Sequence, residues 1–82
     1  MINYKQLAQD LNEINNYFIE LNFERALDFG GNLQSKILRL YQKAENEIDA
    51  SRLKSDLISL MEFHKTTKRV SNLFKKSNRN TN

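Results

Sequence analysis

Residues 4–21 read YKQLAQDLNEINNYFIEL, and their apolar side chains recur at alternating intervals of three and four. At 100° per residue, this spacing places them on one stripe of a helix, an a/d seam of nearly three heptads. Asn3 precedes the stretch, and asparagine is a residue type that caps helix N-termini. We therefore predict a first helix over residues 3–20, with a seam formed by Tyr4, Leu7, Leu11, Ile14, Phe18 and Leu21.

The apolar stripe shifts by about a third of a turn at Leu21–Phe23, which predicts a turn near Asn22, a residue suited to cap the helix that follows. A new stripe follows, and Gly30 and Gly31 lie within it. Either Gly30 ends a helix and Asn32 caps the next, or a single helix covers 23–48 and Gly30 permits close approach by a neighbour. Because the stripe keeps its phase across the glycines, we favour the single helix. Its stripe consists of Phe23, Leu27, Ile37, Tyr41, Ala44 and Ile48.

A further phase shift at Ile48–Leu53 indicates a third helix, which Asp49 or Ser51 could cap. The apolar pattern then rotates, so this helix either bends near Thr66–Thr67 or has two apolar faces. From Ser77 onward no residue is apolar, and we expect residues 1–76 to form one helical domain followed by a flexible, polar and basic tail at 77–82. The first stripe comprises Leu53, Leu57, Leu60, Met61 and His64, and the second comprises Phe63, Val70, Leu73 and Phe74.

The composition favours an all-α fold, since the chain has no proline, only two glycines, and many leucine, lysine and glutamate residues. With short connections, neighbouring helices pack antiparallel. The predicted architecture is an antiparallel three-helix bundle, or four short helices if Gly30-Gly31 breaks the second. A chain of 82 residues has a thin core, so dimerisation is a plausible way to complete it.

The residue types needed for catalysis are scarce. There is no cysteine and only one histidine, His64, so no thiolate nucleophile or zinc site can be assembled. Gly30-Gly31 lacks the lysine and hydroxyl residue of a phosphate-binding loop. We expect a non-enzymatic protein without a catalytic site, cofactor, metal or small-molecule substrate. The N-terminus lacks the apolar core of a signal peptide, and no apolar run approaches the ~20 residues of a membrane span, so we expect a cytoplasmic protein.

The charge is distributed unevenly along the chain. Residues 1–31 carry two cations and five anions, residues 32–63 carry five of each, and residues 64–82 carry six cations and no anion. The acidic part includes a predicted face of Glu20, Glu24 and Asp28. The basic part offers candidate contacts to anions or nucleic acid at Lys65, Lys68, Arg69, Lys75, Lys76 and Arg79.

These patterns predict a small protein-interaction module or regulator that binds a protein partner and self-associates. The third helix offers more apolar surface than a three-helix bundle can bury, and we expect Phe63, Val70, Leu73 and Phe74 to bind the partner. One alternative is a nucleic-acid-binding protein that uses the basic C-terminal segment. Peripheral contact with an anionic membrane is a further alternative for the same segment.

The layout resembles that of the bacteriocin immunity proteins, which are small cytosolic helical bundles with a mobile C-terminal end. The resemblance rests on size class and helical pattern, and no motif residue carries over. It implies a helical bundle that acts at a membrane receptor.

Overall fold

The computed structural model describes the backbone of residues 2–80 and the side chains of residues 2–77. It contains three helices, α1 (Tyr4–Ile19), α2 (Phe23–Gln42) and α3 (Glu47–Asn80), and the described residues include no strand. The predicted all-α class is therefore confirmed.

An asparagine precedes each helix and caps its N-terminus. The Asn3 side-chain oxygen accepts a hydrogen bond from the Gln6 backbone N–H (3.0 Å), and Asn22 accepts one from Arg25 (3.4 Å), as the sequence predicted. Asn46 does the same for α3, where its Oδ1 accepts from the Asp49 backbone N–H at 2.8 Å. The prediction that Asp49 or Ser51 caps this helix was wrong, because both lie inside it.

The turn between α1 and α2 is a Schellman motif. The Asn22 N–H donates to the Tyr17 carbonyl (2.8 Å), and the Leu21 N–H donates to the Phe18 carbonyl (3.0 Å). Leu21 occupies the position where the motif requires a positive φ, here 63°. Glycine is the usual residue there, since a Cβ makes this conformation unfavourable by roughly 1–2 kcal/mol.

Helix α2 is continuous through Gly30 and Gly31, as we favoured, but it ends at Gln42 and not at Ile48. Ile48 lies in the first turn of α3 with 81% of its surface exposed, so it does not belong to the α2 stripe. The buried face of α2 is instead Phe23, Ala26, Gly30, Leu33 and Ile37. A Cβ built on Gly30 would lie 3.4 Å from the His64 Nδ1, whereas one on Gly31 would meet nothing within 4 Å.

Side-chain contacts give the direction of each helix. The ring of Tyr17 in α1 lies 6.2 Å from that of Phe29 in α2, and Phe23 at the start of α2 lies 5.3 Å from Phe74 near the end of α3. The Tyr4 hydroxyl at the start of α1 donates a hydrogen bond to Asp49 at the start of α3. Helices α1 and α3 therefore run parallel and α2 runs antiparallel to both, which fits an antiparallel three-helix bundle.

The core lies along α2, which packs against both other helices. The buried apolar residues that form this core cluster are Leu7, Ile14, Ala26, Leu33, Ile37, Leu53 and Leu60. The molecule measures 55 × 17 × 14 Å. At 1.5 Å per residue the 34 residues of α3 span about 51 Å, so this single helix accounts for the elongated shape.

Helix α3 is uninterrupted at Thr66–Thr67. Its buried seam keeps the same helical phase in the region where the pattern of apolar residues rotates. The seam continues through polar residues. His64 is partly buried, while Thr67 and Ser71 are buried. The Thr67 hydroxyl donates to the Phe63 carbonyl at 2.8 Å, so its burial leaves no hydrogen-bonding group unpaired.

The predicted tail at 77–82 falls partly within the described residues. The helix includes residues 77–80, and the two residues that follow lie outside the description. The flexibility of this tail stays a prediction.

Candidate interaction surface

Four phenylalanine rings form a chain across the three helices at one end of the molecule. Phe18 in α1 lies 5.3 Å from Phe63 and 5.6 Å from Phe23, and Phe23 lies 5.3 Å from Phe74, all in tilted or edge-to-face geometry. Such pairs contribute roughly 0.5–1.5 kcal/mol each beyond area burial. This chain of rings attaches the last part of α3 to the start of α2.

A groove opens beside the last of these rings, between the start of α2 and the end of α3. Its volume is about 510 Å³, and it combines apolar side chains with one acidic and one basic residue. We call it the terminal groove; it is lined by Leu21, Asn22, Phe23, Glu24, Leu27, Ser71, Phe74 and Lys75.

The four predicted apolar contact residues are placed differently from one another. Phe63 packs against the core, and Val70 is half-buried. Leu73 and Phe74 leave 59% and 43% of their surfaces exposed, and of the four only Phe74 lines the terminal groove. The structure therefore brings Phe74 to a candidate surface and assigns Phe63 mainly to packing.

The sequence prediction missed Leu21 as a surface residue. Its place at the end of the α1 stripe suggested burial, yet 56% of its surface is exposed at the edge of the terminal groove. Leu27, also absent from the predicted site, lines the same groove. The shift of the apolar stripe at Leu21–Phe23 was the available signal, since a residue in a turn need not follow the helical phase.

The predicted acidic face is divided between a turn and a helix. Glu20 follows α1 as its C-cap, whereas Glu24 and Asp28 lie four residues apart on α2, and all three are exposed. They therefore do not form one ladder on one helix. Glu24 faces the terminal groove, to which Lys75 of α3 also contributes.

The basic residues of α3 lie mostly on one exposed face. The helix positions of Lys65, Lys68, Arg69 and Lys76, together with Asn72, fall within an arc of about 100°. We call these five exposed residues the basic face. Among the side chains of residues 2–77, the ion pair found is Lys36–Asp10 at 3.8 Å, and none involves the basic face. The side chain of Arg79, also predicted to contact anions, lies outside the described residues.

His64 is part of the α2–α3 seam, as its position on an apolar stripe indicated. Desolvation by burial lowers the pKa of His64 below the usual 6.5, and the positive charge of Lys68 lowers it further. The neutral ring is therefore favoured in the folded state. Its Nδ1 is the atom nearest to the missing side chain of Gly30, so this histidine fills the space that the glycine leaves.

Within residues 2–80, no helix is long and apolar enough to cross a membrane, and no cluster of three potential metal-ligating side chains is found. No family model, curated protein or solved structure matches this chain. The resemblance to bacteriocin immunity proteins therefore stays a prediction.

Proposed function

We propose that this protein is a non-enzymatic interaction module whose terminal groove binds a second copy of the same chain. The observation that supports the proposal most directly is Leu21. A leucine with a φ of 63° has an unfavourable backbone conformation, and with 56% of its surface exposed it also leaves apolar area in contact with water. Burial of this side chain against a partner would offset both unfavourable contributions, and residues held in sparsely populated backbone regions cluster at active sites, ligand clamps and switch regions.

The terminal groove also has the features of a self-complementary surface. Two-fold dimers use the same patch on both copies, so the patch must contain matching elements. Here the groove has apolar walls at Leu21, Leu27 and Phe74. Phe74 keeps 43% of its surface exposed while it packs against Phe23. In a dimer, the exposed part of the Phe74 ring of each copy would pack against Leu21 and Leu27 of the other.

Charge complementarity supports a second copy as the occupant. Glu24 of α2 and Lys75 of α3 both line the terminal groove. They are not ion-paired with each other within the described side chains. In a two-fold arrangement Glu24 of each copy would face Lys75 of the other, and such pairing favours correct orientation over competing ones.

Analytical ultracentrifugation over a concentration series tests this proposal with two charge reversals. Glu24→Lys and Lys75→Glu alone should each place like charges across the interface and weaken self-association. An equimolar mixture of the two variants should restore association, because each lysine at position 24 then faces a glutamate at position 75 of the other copy.

The mixture separates intermolecular from intramolecular effects, since neither variant regains its own internal charge pattern on mixing. Lys54→Glu is the matched control, because Lys54 is an exposed cation of α3 that does not line the groove. This variant should associate like the unmodified protein. A monomer at all concentrations up to about 1 mM, or a mixture that does not recover, would refute the proposal.

A further inference from the structure

We infer that the basic face of α3 binds the phosphate backbone of duplex DNA. This surface is separate from the terminal groove, and the inference does not depend on self-association. It follows from the placement, exposure and surroundings of four cations on one long helix.

The cations are arranged along the helix at intervals that suit a linear polyanion. Lys65, Arg69 and Lys76 follow one another at steps of four and seven residues, with Lys68 beside them. From Lys65 to Lys76 the helix rises about 16 Å. Along the DNA helix axis, where one strand places a phosphate about every 3.4 Å, this distance covers about five phosphates.

The positive charges of the basic face are not neutralised by nearby acidic side chains within the described residues. No acidic residue occurs between Glu62 and the end of the chain, and no ion pair involves the basic face within the described side chains. The α1 helix ends at Ile19, beside Phe63, so it does not cover this part of α3. One side of a helix about 10 Å across is therefore open, and the DNA major groove is about 12 Å wide.

The distribution of apolar residues favours DNA over a membrane surface. A membrane-bound helix needs a broad apolar face flanked by lysines. In the basic segment, Val70 is half-buried and Phe74 packs against Phe23, so both point away from the basic face. Leu73 remains exposed near the edge of this face, and a single leucine contributes only about 1.5–3 kcal/mol on burial.

The test is fluorescence anisotropy of the full chain with a fluorescein-labelled 20-base-pair duplex at several KCl concentrations. Four phosphate contacts predict a log–log slope of about −3.6, and hence an affinity loss of about 150-fold from 50 to 200 mM salt. The variant Lys65→Ala/Arg69→Ala/Lys76→Ala should keep one contact. Its affinity should then fall only about threefold over the same range.

The matched control is Lys5→Ala/Arg25→Ala/Lys43→Ala, which removes the same charge from exposed positions outside the basic face. The control should keep the steep slope, and thermal melting should show that both triple variants are folded. Equal loss of DNA binding in both triple variants would show that net charge alone accounts for the affinity, and it would overturn the inference. So would absence of duplex binding at 50 mM KCl, or preferential co-sedimentation of the protein with phosphatidylserine vesicles.

Discussion

Leu21 combines two unfavourable properties in one residue, and a substitution can separate them. Its positive φ makes the backbone conformation unfavourable. Its exposed side chain leaves apolar surface in contact with water. Glycine at the same position keeps the Schellman hydrogen bonds without the Cβ that makes the conformation unfavourable.

We predict that Leu21→Gly raises the free energy of unfolding by about 0.5–1 kcal/mol. The same change should weaken self-association at least tenfold, because each copy loses a leucine from the interface. Urea denaturation at low protein concentration measures the first effect, and analytical ultracentrifugation measures the second. Lower stability together with unchanged association would show that Leu21 serves intramolecular packing alone.

The two adjacent glycines of α2 should respond differently to alanine. Both lie inside a helix, where glycine is less favourable than alanine by about 1 kcal/mol. Gly31→Ala places its methyl group in open space and should raise the free energy of unfolding by about 1 kcal/mol, and Tm by about 4–8 °C. Gly30→Ala should gain less, since its methyl group would contact the His64 ring. Thermal melts of the two variants in parallel provide the comparison, and a larger gain for Gly30→Ala would contradict the described packing.

At the scale of the element, α3 has an apolar seam in its first half and a polar seam in its second. Leu53 and Leu60 fill the first part, and His64, Thr67 and Ser71 continue it at the same helical phase. Apolar area buried per turn falls from the first part to the second, and so does the stabilisation it supplies. The aromatic contact between Phe23 and Phe74 therefore supplies an important part of the apolar contact that holds the second half of α3 against α2.

The polar seam makes the stability of α3 depend on pH through His64. Its pKa is lowered in the folded state, so the stability it contributes is complete above 6.5 and is lost as the pH falls through the folded pKa. Between about pH 7.5 and 5.5, the unmodified protein should lose more stability than His64→Asn, which cannot take up this proton. Urea denaturation at the two pH values gives the comparison, and parallel losses in both proteins would show that His64 is not desolvated.

Sequence patterns predicted the helices well where apolar spacing and end signals agreed. Asn3 and Asn22 each precede a clear stripe, so both caps could be predicted. The end of α2 could not, because Ile48 matches its stripe by phase although Asn46 has already capped the next helix. The rotation expected in α3 had a similar cause, since a pattern built from apolar residues alone cannot follow a seam through Thr67 and Ser71.

At the scale of the whole molecule, opposite charges and two distinct surfaces lie at the same end. The terminal groove involves the start of α2 and the end of α3, and the basic face lies along the same part of α3. The sequence alone gives the charge of each residue. It does not show which charged residues line the terminal groove and which lie on the basic face. That division depends on which side of α3 the α2 helix covers, which is a property of tertiary packing.

The central position of α2 has a consequence for how the chain reaches its fold. Each of the two main packing interfaces joins helices that follow one another in sequence, through turns of only three and four residues. Little loop entropy opposes the closure of either hairpin, and proteins dominated by such local contacts fold within microseconds to milliseconds. A chain of this kind spends little time with its apolar stripes exposed after synthesis, which limits the opportunity for aggregation.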